Sequence, residues 1–130
     1  MKDFLKKLQS DHPELIFKPG PKFSFLPPKT IILGPPQENY ELLTLHELSH
    51  ALLKHKDYTQ LIKLLKIETE AWDKARELAQ KYYIPFDEDF AESKLDTYRN
   101  HLHKKSLCVT CHQPRPQKQD GQFYCPLCDQ

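Results

Sequence analysis

Three residues of one short tract, His46, Glu47 and His50, have the types and spacing of a hydrolytic metal site. They form the pattern His-Glu-x-x-His on a segment that we predict to be helical. Residues four apart share one helix face, so both imidazoles can bind the same zinc ion. Glu47 lies about 60° around the helix from His50, at about 100° per residue. We therefore expect Glu47 to act as a general base towards a zinc-activated water without being a ligand.

The alternative interpretation is a chance occurrence of this pattern on an exposed helix. The neighbouring residues argue against it, because apolar side chains surround the motif on nearly every side. These are Leu42, Leu43, Leu45, Leu48, Ala51, Leu52 and Leu53. Such a helix is predicted to be buried, and buried histidine and glutamate side chains without partners would cost free energy. A metal ion would supply the missing partner.

A catalytic zinc needs a third protein ligand, and the next helix offers Glu68 and Glu70. Glu68 falls in the middle of an apolar stripe, where a carboxylate needs a cation to offset its desolvation. The stripe consists of Leu61, Leu64, Leu65, Ala71, Trp72, Ala75, Leu78 and Ala79. Glu70 falls on the charged face and is predicted to pair with Lys66 and Lys74. Glu68 is therefore the predicted ligand.

Two alternatives to this ligand set stay open. Glu68 could instead form a buried ion pair with a lysine or an arginine. His55 is a rival ligand, but it lies about 140° around the helix from His50, or just beyond the helix end, which is a poor position for the same zinc.

Together these residues give the chain a resemblance to the gluzincins, in which a His-Glu-x-x-His helix is followed by a glutamate helix. The tract Thr44–Lys56, TLHELSHALLKHK, resembles the corresponding helix of the ImmA/IrrE-type metallopeptidases and the minigluzincins, and Glu68-Thr69-Glu70-Ala71 is similar to the ExxA signature. The resemblance covers roughly residues 30–84. It implies zinc ligands His46, His50 and Glu68, general base Glu47, and an edge strand at residues 29–33 able to pair with a peptide substrate.

The chain departs from the gluzincin pattern at Trp72, where many members have an aspartate that orients a zinc-binding histidine. Asp73 is one candidate replacement. The SprT-like proteases also combine this motif with a zinc-ribbon-like tail, but they use a third histidine, and none is suitably placed after His50. Candidates for stabilising an oxyanion are chosen by residue type alone. They are Tyr82, Tyr83, Tyr98, His101 and His103.

Two Cys-x-x-Cys pairs near the C-terminus predict a second, structural zinc site. Cys108 and Cys111 are separated from Cys125 and Cys128 by thirteen residues, the arrangement of a zinc ribbon with two knuckles. The Asp120-Gly121 pair predicts a hairpin turn between the knuckles. So short a tail cannot fold on an apolar core alone, and the metal would stabilise it.

The segments that position these residues can be outlined from their patterns. Residues 1–9 are predicted to form a short helix, and residues 14–18 and 30–33 to form short strands between proline-rich turns, with residues 22–26 as a candidate third strand. A helix capped by Asn39 is predicted to run to residue 54. A second, capped by Asp57 with Gln60 completing a capping box, is predicted over residues 58–83 and ends before Pro85. A third begins after Asp87 and covers residues 88–104.

Composition restricts the class of protein. The chain has 130 residues, 38% hydrophobic and 28% charged, with a net charge of +1. We predict an α+β zincin-like domain over residues 1–105 and a zinc-ribbon tail over residues 106–130.

No apolar run is long enough to span a bilayer and no secretory signal is recognisable, so we expect no membrane partner and a cytoplasmic location. Paired cysteines agree with a reducing compartment.

The predicted function is hydrolysis of peptide bonds in a protein or peptide substrate. The alternatives are a non-hydrolytic zinc-binding adaptor and a nucleic-acid-associated protein acting through the ribbon. Four basic residues near the ribbon would serve the last of these, although so few charges are typical of any solvated surface. They are Lys104, Lys105, Arg115 and Lys118. An intact Glu47 favours the enzyme, since a structural site needs no base.

Overall fold

The computed structural model describes residues 2–55 and 60–128 of the chain. Within these residues the protein is a small α+β protein with four helices and one three-stranded sheet. In chain order the elements are α1 (Lys2–Asp11), β1 (Ile16–Pro19), β2 (Ser24–Leu26), β3 (Thr30–Leu33), α2 (Tyr40–Leu52), α3 (Leu61–Lys81) and α4 (Glu88–Ser106). No helix of the described ranges combines the length and the apolar character needed to cross a membrane.

The sheet has the order β1-β3-β2, with β1 parallel and β2 antiparallel to the central strand β3. β3 has the predicted bounds, β1 begins two residues later and ends one residue later than predicted, and the candidate strand at residues 22–26 forms over its last three residues. The expectation that residues 29–33 form an edge strand is wrong, because β3 has a neighbour on each side. Its Thr-Ile-Ile-Leu sequence is the most apolar of the three, and Ile31 is completely buried, which suits the central position.

Helix α2 is buried over most of its surface, as the apolar residues around the motif predict. Two polar side chains within it are satisfied by the helix itself: the Thr44 hydroxyl donates to the Tyr40 carbonyl and the Ser49 hydroxyl to the Leu45 carbonyl, at 2.9 and 2.7 Å. Asn39 does occupy the N-cap position. Its backbone is left-handed, with φ 61°, and its side chain makes no capping hydrogen bond, so that part of the prediction is wrong.

The predicted start of the next helix lies outside the described residues, since Asp57 and Tyr58 fall in the gap. In the described chain α3 begins at Leu61, whose N–H donates to the side-chain oxygen of Gln117. The Gln60 amide donates to the Gln117 carbonyl at 2.9 Å, and the predicted capping box with Asp57 lies outside the described residues. Gln117, which lies between the two cysteine pairs, thus supplies a capping hydrogen bond for this helix.

The two remaining helix ends agree with the sequence. α3 stops at Lys81, and Tyr83 then turns left-handed with φ 58°, two residues before Pro85. At the start of α4 the Asp87 carboxylate accepts a hydrogen bond from the Phe90 N–H at 3.0 Å, as an N-cap should.

The chain is organised as two compact units, Met1–Lys56 with Glu70–Phe86 and Asp57–Thr69 with Asp87–Gln130. The division falls within the continuous helix α3. The first unit has an apolar core in which α2 packs on strands β2 and β3. Its buried residues include Leu8, Ile31, Leu45, Leu48, Trp72 and Ala75. In the second unit Ala91 and Leu95 of α4 and two cysteines are buried. The predicted boundary between residues 105 and 106 stays a prediction.

Candidate metal centres

The two histidines of the His-Glu-x-x-His motif face the same point beside helix α2. Their Nε2 atoms lie 3.3 Å apart, and both side chains are buried. The four-residue spacing produces this arrangement, because it places both rings on one face of the helix, where they meet edge to face with centroids 4.7 Å apart. The Nε2 atoms are therefore oriented as a pair that one metal ion could bridge.

Helix α3 brings Glu68 to this pair. One ligand atom from each of His46, His50 and Glu68 lies within 4.8 Å of the others. Glu68 is only 6% exposed, as its place in the apolar stripe predicts. Trp72 follows one helical turn later and stacks on the His46 ring. The three predicted ligands are thus brought together in a group that could hold a metal ion.

Aromatic side chains fix the orientation of both imidazoles. Trp72 stacks on His46 with centroids 4.2 Å apart and packs edge-on against Phe86. On β2, the Phe25 ring lies parallel to the ring of His50, with centroids 6.5 Å apart. At 1% exposure Trp72 is an enclosed packing partner of the His46 ring.

The candidate Asp73 does not take the orienting role. Its exposed carboxylate pairs with Arg76 at 3.0 Å, one turn along the same helix. Residue type and sequence proximity suggested Asp73, but its position one residue after buried Trp72 turns it to the solvent side.

His55 and Glu70 lie beside the metal-binding group in a way that the sequence did not predict. The Nδ1 atom of His55 is 2.9 Å from Nδ1 of His50, and its Nε2 atom is 3.1 Å from a carboxylate oxygen of Glu70. Glu70 therefore pairs with His55, and Lys74 pairs with Glu77 at 3.2 Å, so the expected pairing of Glu70 with Lys66 and Lys74 is wrong. His55 contacts a candidate ligand without joining the group of three.

Glu47 is the partly exposed member of the motif, between buried His46 and buried Leu48. The group of potential ligand atoms found among the described residues does not include its carboxylate. This position agrees with the helical phase, which puts Glu47 near the histidine face but off its centre.

The four cysteines form a second group whose sulfur atoms lie within 4.8 Å of one another. The Cys128 N–H donates to the Cys125 sulfur at 3.3 Å, and backbone N–H groups of Cys111 and Thr110 lower the pKa of Cys108 to about 6. Hydrogen bonding with Cys111, followed by burial, raises the pKa of Cys128 to about 12. The cysteine group thus favours a thiolate at Cys108 and opposes a second negative charge at Cys128. A bound dication would remove this opposition by compensating the negative charges.

The chain between the two cysteine pairs forms the predicted turn. Gly121, with φ 94°, donates its N–H to the Lys118 carbonyl at 2.9 Å, and Gln117 bridges to Phe123. Asp120 accepts from the Gln122 N–H at 2.9 Å. The turn explains why glycine is needed here, because side chains rarely tolerate this φ.

Of the residues considered for oxyanion stabilisation, Tyr82 is committed elsewhere. Its hydroxyl donates to the Asp11 carboxylate, and burial together with that hydrogen bond raises the pKa of Tyr82. Tyr83 is 90% exposed in the left-handed turn after α3. The others lie on α4 and stay candidates by type: Tyr98, His101 and His103.

Comparisons with known proteins add no assignment: the chain matches no family model, and neither a curated protein nor a solved structure is detectably similar to it.

Proposed function

We propose that this protein is a zinc-dependent peptidase of the gluzincin type, with a zincin-like domain and a structural zinc ribbon. The observation that carries the proposal is the meeting of His46, His50 and Glu68, whose ligand atoms lie within 4.8 Å of one another beside the helix that carries Glu47. Two imidazoles and one carboxylate form the ligand set of catalytic zinc sites, which keep a further position open.

Zinc is the metal that both donor sets fit. Imidazole and carboxylate bind it in hydrolases, and four thiolates bind it in closed structural sites. A zinc ion held by His46, His50 and Glu68 would supply a Lewis acid that activates water and polarises the carbonyl to be cleaved.

The protein's own residues would divide the remaining work. Glu47 accepts the proton of the attacking water and returns it to the leaving amine, because helical phase puts it beside the histidine face and it is not one of the three ligands. Trp72 and Phe25 hold the two imidazoles in place by stacking. Burial of the histidines and Glu68 keeps bulk water away from the ligands.

The substrate we propose is a peptide in extended conformation, bound along β2 rather than along β3. β2 is an outer strand of the sheet, and its Phe25 stacks on His50. A peptide added to the outer edge of β2 would gain main-chain hydrogen bonds while passing close to the metal ligands. The role that the resemblance gave to residues 29–33 therefore moves to residues 24–26.

A second candidate function, compatible with the first, is binding of a protein partner by the ribbon. The middle residues of its two knuckles, Val109 and Leu127, are 82% and 76% exposed. Binding of nucleic acid has less support, because one of the four basic residues is already engaged. The Arg115 guanidinium donates to the Lys105 and Ser106 carbonyls at 3.0 and 3.2 Å, at the end of α4.

Replacing Glu47 with glutamine tests the enzymatic proposal, because the change keeps the side chain's size and removes the base. Zinc content and thermal stability should stay unchanged, while hydrolysis of an unfolded casein or of a peptide library falls by about 10²–10⁴-fold. Glu41→Gln, the same change in the first turn of α2, should leave hydrolysis intact. His46→Ala should lose both metal and activity. A substrate cut equally fast by wild type and Glu47→Gln would refute the mechanism.

A further inference from the structure

The end of helix α2 folds back so that His55 meets the ring of His50. Lys54 adopts the left-handed conformation with φ 56°, and the His55 N–H then donates to the His50 carbonyl at 3.1 Å. This is the hydrogen-bond pattern by which helices often end. The chain therefore turns back over the last turn of α2. The 140° separation between His50 and His55 assumed a helix that continues, so it gave the wrong position for the His55 side chain.

The three side chains allow one consistent arrangement of protons when His50 binds a metal through Nε2. Neutral His50 then carries its proton on Nδ1 and donates it to Nδ1 of His55, 2.9 Å away. Because that atom accepts, His55 must carry its own proton on Nε2, which lies 3.1 Å from the Glu70 carboxylate. Each hydrogen bond fixes the direction of the next.

We propose that His55 and Glu70 are positioning residues for the metal ligand His50, forming the chain His50–His55–Glu70. The proposal rests on the metal site of the proposed function. It assigns two residues of α3, Glu68 and Glu70, to different tasks: Glu68 binds the metal, and Glu70 ends the hydrogen-bond chain. The carboxylate at the far end makes His55 a better acceptor and His50 a more basic ligand, as partners of metal-binding histidines do.

Burial also fits a positioning role. The His55 side chain is 11% exposed and the Glu70 side chain 45%, so the chain leads from the buried ligand to a carboxylate that stays hydrated. Partial hydration lowers the desolvation cost of the Glu70 carboxylate.

The test is zinc affinity of the full-length protein, measured by competition with a chelator. A thiol-reactive reagent reports separately on zinc held by the cysteines. His55→Phe should lower affinity at the histidine site by about 10–100-fold, and Glu70→Ala should lower it within the same range. The double variant should bind no more weakly than His55→Phe alone, because Glu70 acts through His55. Glu70→Gln, which keeps an acceptor oxygen, should recover part of the loss.

Glu77→Ala is the matched control, an exposed glutamate of the same helix that pairs with Lys74. It should leave affinity unchanged. Additive losses in the double variant, or full affinity in His55→Phe, would overturn the positioning role while leaving the peptidase proposal intact. A wild-type protein that binds zinc through its cysteines alone would overturn both.

A measurement on the wild type covers the case in which His55→Phe does not fold. Nitrogen-15 NMR of the zinc-loaded protein reads the tautomer of each histidine. We expect His50 protonated at Nδ1 and His55 protonated at Nε2. A His55 that carries its proton at Nδ1 alone would overturn the proposed chain.

Discussion

Glu68 is the zinc ligand that we propose from the helical phase of α3, and its replacement by glutamine should remove most of the stabilisation that added zinc gives. For this experiment the histidine site is first emptied with a chelator, which leaves zinc at the cysteines. Zinc added at about 100 times its dissociation constant stabilises the folded wild type by about 2.7 kcal/mol. For a chain of this size that corresponds to a rise in melting temperature of about 10 °C, at roughly 3–5 °C per kcal/mol.

Glutamine keeps the size of Glu68 but removes the anionic donor. Loss of a direct ligand should weaken zinc binding by at least about 100-fold, the upper end of the range for residues that only hydrogen-bond to a ligand. At the same zinc concentration the remaining stabilisation is then about 0.4 kcal/mol, a rise of only about 1–2 °C. Thermal unfolding followed by circular dichroism measures both values. Each variant is compared with and without added zinc, so that effects of the substitution on the metal-free protein cancel.

The control variants lie on the same helix. Glu77→Gln changes an exposed glutamate paired with Lys74 and should keep the full rise of the wild type. Glu70→Gln should lose less than Glu68→Gln, because an amide oxygen still accepts from His55. A full rise in Glu68→Gln, or a larger loss in Glu70→Gln than in Glu68→Gln, would refute the assignment of Glu68 as the ligand.

Further expectations follow from the site and its surroundings. The purified protein should hold two zinc ions per chain, and Cys108→Ser with Cys125→Ser should leave one by elemental analysis; a loss of both would contradict two independent sites. Trp72→Ala should lower the free energy of unfolding by about 3–5 kcal/mol in urea, because this tryptophan is almost completely buried; a loss below about 1 kcal/mol would contradict its packing on His46. Lys54→Gly should stabilise by up to about 1 kcal/mol, since glycine adopts φ 56° without strain, and should leave zinc affinity unchanged; destabilisation would argue against the left-handed turn.

Local patterns were enough to predict the elements that carry the metal-binding residues. The four-residue spacing of His46 and His50 determines that their rings share one face of α2, whatever the rest of the chain does. The apolar stripe around Glu68 likewise determined which glutamate is buried, because phase along one helix is a local property. The caps at Asp87 and the stop before Pro85 are local as well.

What the sequence did not reveal depends on contacts between distant segments or on single backbone angles. The central position of β3 depends on which strands pair with it, and strand patterns alone do not give their order. The cap of α3 comes from Gln117, 56 residues after Leu61. The contact between His55 and His50 requires the left-handed angle at Lys54, a residue with no preference for it, and Glu70 reaches His55 only after α3 has packed.

Anomalous diffraction at the zinc absorption edge tests the central claim most directly, because it locates each zinc ion and its ligand atoms. We predict two peaks per chain, one among the four cysteine sulfurs and one about 2.0–2.2 Å from His46 Nε2, His50 Nε2 and a carboxylate oxygen of Glu68. The carboxylate of Glu47 should face the open position of that second ion without binding it. A single peak at the cysteines, or a second peak held by His55 and Glu70 instead of Glu68, would contradict the account.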